Sequence, residues 1–177
     1  MLTKPQSLSG QHVPDKAKFV DLIYSNMGII YKICKLYAGV EDREDLKQEI
    51  IYQLWRSWPS FRGDSRFQSW MYRVALNTAM LGLRARRVKY TRLGERELEI
   101  SDDHGDLLER ESMIGSMYKV IAELRDLDKT IIFLHLEKCS YEEISEITGI
   151  SPKNVSVRLV RIRERLRKQL DLKNSKG

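Results

Sequence analysis

The residues best placed to do chemistry lie between Ser140 and Leu170, and the chemistry they suggest is recognition, not bond-making. Lys153, Asn154, Ser156, Val157, Arg158, Val160 and Arg161 crowd into one short stretch, followed by Arg163, Arg165, Arg167 and Lys168. Early residues of a helix can reach base edges in a major groove, and arginines and lysines around them can neutralise phosphates. Two local signals would position such a helix. Ser140 and Glu143 have the spacing of a capping box, and Gly149 can take the left-handed conformation that ends a helix, before Ser151-Pro152 starts another. Val155, Leu159, Ile162 and Leu166 recur at helical steps, so they share one face and can pack on Ile144 and Ile147 of the shorter helix. This is the pattern of a helix-turn-helix. The plainer alternative is a solvated basic helix that closes a bundle.

A second group lies in residues 58–87. Phe61, Trp70 and Tyr72 stand close in sequence to Arg62, Arg66 and Arg73, with Arg84, Arg86 and Arg87 beyond. Ring faces can replace lost base stacking while guanidinium groups hold the backbone, which is the equipment for unpaired bases. Trp70 and Phe67 fit a helix core, whereas Phe61, in a loop, is the aromatic least explained by packing. Catalytic signatures are missing: there is no nucleophile elbow, Walker loop, dinucleotide fingerprint or HExxH. Glu41, Asp42, Glu44, Asp45 and Glu49 cluster where a helix begins, which the helix dipole and solvation explain. His135 and Cys139 could share a helix face, but two ligands do not close a tetrahedral site. Neither a metal nor a cofactor is expected.

The whole chain agrees with a polyanionic partner. It has 177 residues, 32% of them charged, and a net charge of +6. From Ser151 onward, nine Lys or Arg face only Glu164 and Asp171. Cys34 and Cys139 are too few for a disulfide framework, so a reduced, cytoplasmic setting is expected. No apolar run is long enough to insert in a membrane, and residues 1–14 read as a flexible N-terminal arm.

The elements that must hold these residues read as helices throughout. Residues 16–38 form a well-buried helix through Phe19, Val20, Ile23, Tyr24, Met27, Ile30, Tyr31 and Cys34. A second runs from about Glu41 to Trp58, with Leu46, Ile50, Ile51, Leu54, Trp55 and Trp58 inward, and Pro59 stops it. Asp64 or Ser65 caps a third, whose inward stripe is Phe67, Trp70, Met71, Val74 and Leu81. Residues 94–111 hold eight acids against Arg96 and Arg110 and read as a linker. Helices at 107–124 and 126–137 then lead to the helix-turn-helix. The fold class is all-α: two small helical domains joined by a flexible acidic linker.

Three ordered segments carry a family resemblance: Asp42-Arg-Glu-Asp-Leu-Lys-Gln-Glu49, Phe61-Arg-Gly-Asp-Ser-Arg-Phe-Gln-Ser-Trp-Met-Tyr-Arg-Val-Ala-Leu-Asn77, and Ser140-Tyr-Glu-Glu-Ile-Ser-Glu-Ile-Thr-Gly-Ile-Ser151. Together they resemble the sigma-70 family of bacterial RNA polymerase sigma factors, and within it the extracytoplasmic function group, which keeps only regions 2 and 4. The resemblance implies region 2 at 15–93, the acidic linker at 94–111, region 4 at 112–170 and a disordered tail at 171–177. It implies a promoter-specificity subunit, not an enzyme. Asp45, Gln48, Glu49, Tyr52 and Arg56 would dock on the clamp coiled coil of the polymerase core, whose flap is a further contact. Phe61, Arg62, Gly63 and Asp64 would capture a flipped base of the minus-ten element. Arg73, Asn77, Arg84 and Arg86 would line the path of the single strand. Lys153, Asn154, Ser156, Val157, Arg158, Val160 and Arg161 would read the double-stranded minus-thirty-five element, Arg158 and Arg161 both from an exposed face. An anti-sigma factor is a further implied partner. The chain departs from the family pattern at Leu124-Arg125, where Leu-Pro is usual, at Lys138-Cys139, and at Met80-Leu81-Gly82-Leu83, where Gly82 could bend the helix. A competing reading is a helix-turn-helix repressor or activator with an N-terminal dimerisation or sensing bundle. A nucleic-acid enzyme would need a metal-binding carboxylate set.

Overall fold

A computed structural model of the protein describes residues 15–93 and 120–174, with side chains placed for 15–85 and 120–169. The expected arm at 1–14 and acidic linker at 94–111 lie outside the described residues, as does the side chain of Arg86. Among the described residues every regular element is helical: α1 (Lys16–Ser25), α2 (Met27–Tyr37), α3 (Arg43–Ser57), a 3₁₀ turn (Trp58–Ser60), α4 (Phe67–Leu93), α5 (Asp126–Leu136), α6 (Tyr141–Thr148) and α7 (Pro152–Asn174). Residues 120–122 are also helical.

The single helix expected over 16–38 is two. Asn26 stands between them with φ −118°; its side-chain amide donates to the Leu22 carbonyl at 2.8 Å, and its backbone N–H turns back to Ile23. An asparagine that satisfies the preceding turn with its side chain offers the backbone an alternative to helix, and here it wins. The break re-phases the apolar stripe. Phe19, Ile23, Ile30 and Cys34 are buried as expected, but Val20, Tyr24 and Tyr31 are exposed, Tyr24 at 74%. In α3, Leu46, Ile50 and Leu54 point inward, while Trp55 is partly exposed and edges against Phe19 with ring centroids 5.1 Å apart.

Helix α4 is the organising element. It packs on α2, α3 and α6, so far more than one stripe is buried: Trp70, Met71, Tyr72, Ala75, Leu76, Ala79 and Leu83 are all inside. Leu81, expected inward, is 64% exposed. Gly82 leaves α4 unbroken, and neither Asp64 nor Ser65 is its boundary residue, since the helix starts at Phe67.

In the C-terminal half, α6 and α7 form the helix-turn-helix, with α5 packed across both. Ser140 and Glu143 make both hydrogen bonds of a capping box, at 3.1 and 2.9 Å. Gly149 sits at φ +76°, and Ser151 Oγ accepts from the Asn154 N–H at the start of α7. Ile144, Ile147, Val155, Leu159 and Ile162 are buried together, with Leu166 partly so. The tail expected to be disordered from 171 is helical to Asn174, α7 continuing through Leu172 and Lys173.

The two halves meet directly, and their buried side chains form one continuous cluster. Tyr37 Oη lies 2.7 Å from Thr130 Oγ1, and Lys129 Nζ sits over the Tyr37 ring. Glu137 accepts from both Lys32 Nζ (2.8 Å) and Tyr72 Oη (3.1 Å), while Ser69 Oγ reaches Glu143.

Candidate nucleic-acid interface

Four surfaces bear on the residues singled out from the sequence. On α3, Asp45, Gln48, Glu49, Tyr52 and Arg56 are all exposed. Their spacing of three, four, seven and eleven from Asp45 places them on one face, opposite the buried Leu46, Ile50 and Leu54. Gln53 Nε2 donates to Glu49 at 2.8 Å and steadies that carboxylate.

On α4, Arg73, Asn77 and Arg84 share the narrow strip that the buried sides leave free, and all three are exposed. A groove between α3 and α4 is lined by Asp45 and Glu49 on one wall and Asn77 and Leu81 on the other. Residues assigned to different roles by the resemblance thus face one depression, which sequence spacing could not show.

The loop before α4 turns at Gly63, whose φ of +80° only glycine adopts without strain. Arg62, Gly63 and Asp64 are exposed. Phe61 departs from the reading of an unpacked ring. It stacks on Trp58 (centroids 5.5 Å, 20° between planes) and tilts against Trp70 at 5.1 Å, with Phe67 edge-on at 5.8 Å. Most of it is covered. Phe61 and Arg62 still line a small crevice with Asp15, Lys18 and Gly63, so the ring borders a recess that carries charges of both signs.

On α7, Lys153, Asn154, Val157, Val160 and Arg161 are exposed and Ser156 partly so. Val157 and Val160 are apolar residues turned to solvent, which packing does not explain. Arg158, expected to be exposed, is half-buried: its Nη1 donates to Asp128 Oδ1 at 2.8 Å. Asp128 is buried, and Arg125 lies 3.3 Å from its other oxygen. Sequence reasoning missed Asp128, since one acid in the first turn of a helix reads as dipole complementarity. Behind the same helix, Arg163 Nη2 lies 2.6 Å from His135 Nε2; burial and then the Arg163 charge hold the His135 pKa below its usual value, which keeps the ring neutral and able to accept.

Cys34 is buried and Cys139 half-buried. Burial pushes both thiols up to about 11, with Glu143 and Glu137 adding to the effect at Cys139. His135 and Cys139 do not gather further ligands, and among the described residues no group of three candidate metal ligands occurs. No helix among them is long and apolar enough to cross a membrane.

Comparison with known proteins identifies the frame in which these surfaces belong. Residues 22–88 match the family described as Sigma-70 region 2, and residues 114–166 match Sigma-70, region 4. The ECF RNA polymerase sigma-E factor of Escherichia coli is 30% identical over 162 residues, covering 85% of each chain. The ECF RNA polymerase sigma factor SigW of Bacillus subtilis is 27% identical over 173 residues, covering 88% of this chain and 90% of the relative. In fold, the chain resembles the sigma factor RpoE of Bartonella quintana, solved in complex with the anti-sigma factor NepR, at TM-score 0.70 and 19% identity, covering 87% of this chain and 97% of that one. CnrH, solved with the cytosolic domain of CnrY, superposes at TM-score 0.63 and 20% identity over 89% of this chain and 90% of that one. The chain belongs to the sigma-70 family, in its extracytoplasmic function group.

Proposed function

We propose that this chain is a promoter-specificity subunit that binds RNA polymerase core, recognises two promoter elements and directs transcription initiation, working in the cytoplasm. The observation that carries this reading is the paired arrangement of one exposed polar strip on α4, Arg73, Asn77 and Arg84, and one exposed basic face on the helix-turn-helix. The α3 face of Asp45, Gln48, Glu49, Tyr52 and Arg56 docks on the clamp coiled coil, and region 4 on the flap. The chain makes and breaks no covalent bond in this role.

Each step uses a different physical property. Arg62 and the open edge of Phe61 receive a base that has left the stack, and Gly63 lets the loop backbone close on it. Arg73 and Arg84 hold phosphates of the unpaired strand, with Asn77 available for hydrogen bonds to bases. On α7, Lys153, Asn154, Ser156 and Arg161 reach base edges and backbone, and Val157 or Val160 meets a thymine methyl. The sigma factor RpoE, which shares this fold, was solved with the anti-sigma factor NepR, and an anti-sigma factor is the corresponding partner here.

Run-off transcription tests the whole reading. Core polymerase plus this chain should produce discrete transcripts from a genomic promoter library that core alone does not. In a pull-down titration, Asp45→Ala and Gln48→Ala should weaken core binding with the fold intact. Unchanged binding removes α3 from the interface, and transcripts identical to core alone reject the sigma role.

A further inference from the structure

The crevice between the start of α5 and the flank of α7 holds a carboxylate that the roles above do not use. Asp128 lies in the first turn of α5 with its side chain 11% exposed, and each of its oxygens takes an arginine. Oδ1 accepts from Arg158 Nη1 at 2.8 Å, and Oδ2 from Arg125 Nη2 at 3.3 Å. Arg161 and Arg165 line the same crevice. A negative group beside a surface that meets phosphates is unfavourable unless its charge is balanced, and here two guanidinium groups and the α5 N-terminus balance it. The consequence for Arg158 is directional. A guanidinium is a rigid planar fork of five donors on a flexible stem, so fixing one nitrogen aims the remaining donors.

We propose that Asp128 is a positioning residue for promoter discrimination: it holds Arg158 by one nitrogen so that the remaining donors meet a single base edge of the upstream duplex. Arg125 engages the second oxygen and masks the carboxylate from the DNA backbone. This rests on the promoter-reading role of α7. It differs from a simple tie between α5 and α7, because a tie affects melting temperature alone, whereas a positioning group affects which base is preferred.

Holoenzyme assembled from core polymerase and the full-length chain is used to select from a promoter-length duplex pool of random sequence. Arg158→Ala should flatten preference at one upstream position, roughly tenfold in relative affinity. Asp128→Ala should flatten the same position by a similar factor, and the double variant should lose no more. Once released, Arg158 and Arg125 turn to phosphates, so Asp128→Ala should also steepen the dependence of log affinity on log salt by about one to two. Asp128→Asn keeps an acceptor oxygen for Arg158 without the charge, and it serves where the alanine variant folds poorly; it should show a smaller loss at that position. The proposal is overturned if Asp128→Asn and any folded Asp128→Ala select the wild-type element, or if the position they lose differs from that lost by Arg158→Ala. A wild-type holoenzyme that selects no upstream element overturns the promoter-reading role itself, before any variant is compared.

Discussion

Replacing Phe61 by alanine removes a ring that stacks on Trp58 and tilts against Trp70, so the protein should lose about 1–3 kcal/mol whatever the ring does to DNA. Leucine separates the two roles. Phe61→Leu keeps most of the buried volume and should cost less than about 1.5 kcal/mol, yet it has no π face for an unpaired base. The expected outcome is a near-normal melting temperature with slower promoter opening, read by permanganate reactivity of thymines; equal reactivity in variant and wild type would leave Phe61 a packing residue only. The sequence misled here for a physical reason. Helical periodicity says nothing across a loop, and the turn at Gly63 is what folds Phe61 back onto aromatics that precede and follow it. The cysteines offer a second test at this scale. With both thiols near pKa 11, iodoacetamide should label neither Cys34 nor Cys139 appreciably in the folded chain at pH 8, and labelling of Cys139 should climb only as pH approaches 11. Fast labelling at pH 8 would show that the contact of α6 with α4 opens readily.

Among the elements, α6 and α7 are legible in the sequence because their signals are local: a capping box, a left-handed glycine and a serine–proline restart act within one turn of chain. Ser140→Ala should therefore cost about 1 kcal/mol, measured by chemical denaturation. Helix α4 is less legible because a stripe argument assumes one packing partner, whereas α4 packs on α2, α3 and α6 and also meets α5 through Tyr72 and Phe133; Leu81, expected inward, lies on the exposed face. Asn26 was illegible for the opposite reason, since a single side-chain hydrogen bond outweighed a strong apolar pattern. The contact between α5 and α7 also carries a pH dependence. His135 accepts from Arg163 only as the neutral ring, and its folded pKa lies below the unfolded value near 6.5. Its contribution to stability is complete above that value and is lost as pH falls through the lower, folded pKa. Thermal melts from pH 8 to pH 5 should show a steeper decline for wild type than for His135→Gln, which cannot titrate; parallel curves would mean that the ring protonates without consequence.

At the scale of the whole molecule, the contact between the halves sets what the free chain can do. Glu137 is its polar hub, accepting from Lys32 and from Tyr72, whose hydroxyl is kept protonated by burial and by the Glu137 charge beside it. Distant contacts of this kind leave no trace in local sequence pattern, so the pattern predicts two domains and is silent on whether they pack together. Closure has an energetic consequence. Any partner that needs the halves apart binds with an apparent affinity reduced by the fraction of chains that are open. Glu137→Lys places a second cation beside Lys32 and removes the acceptor for Tyr72, so it should shift the population toward the open form. Small-angle scattering of the free chain should show a larger radius of gyration for Glu137→Lys than for wild type, and Lys32→Glu in the same chain should reverse the change by restoring an opposite-charge pair. Core binding is then the informative second measurement. Tighter assembly by the opened variant would show that closure competes with polymerase, whereas unchanged scattering would show that the apolar contacts around Tyr37 and Phe133 hold the halves together without Glu137.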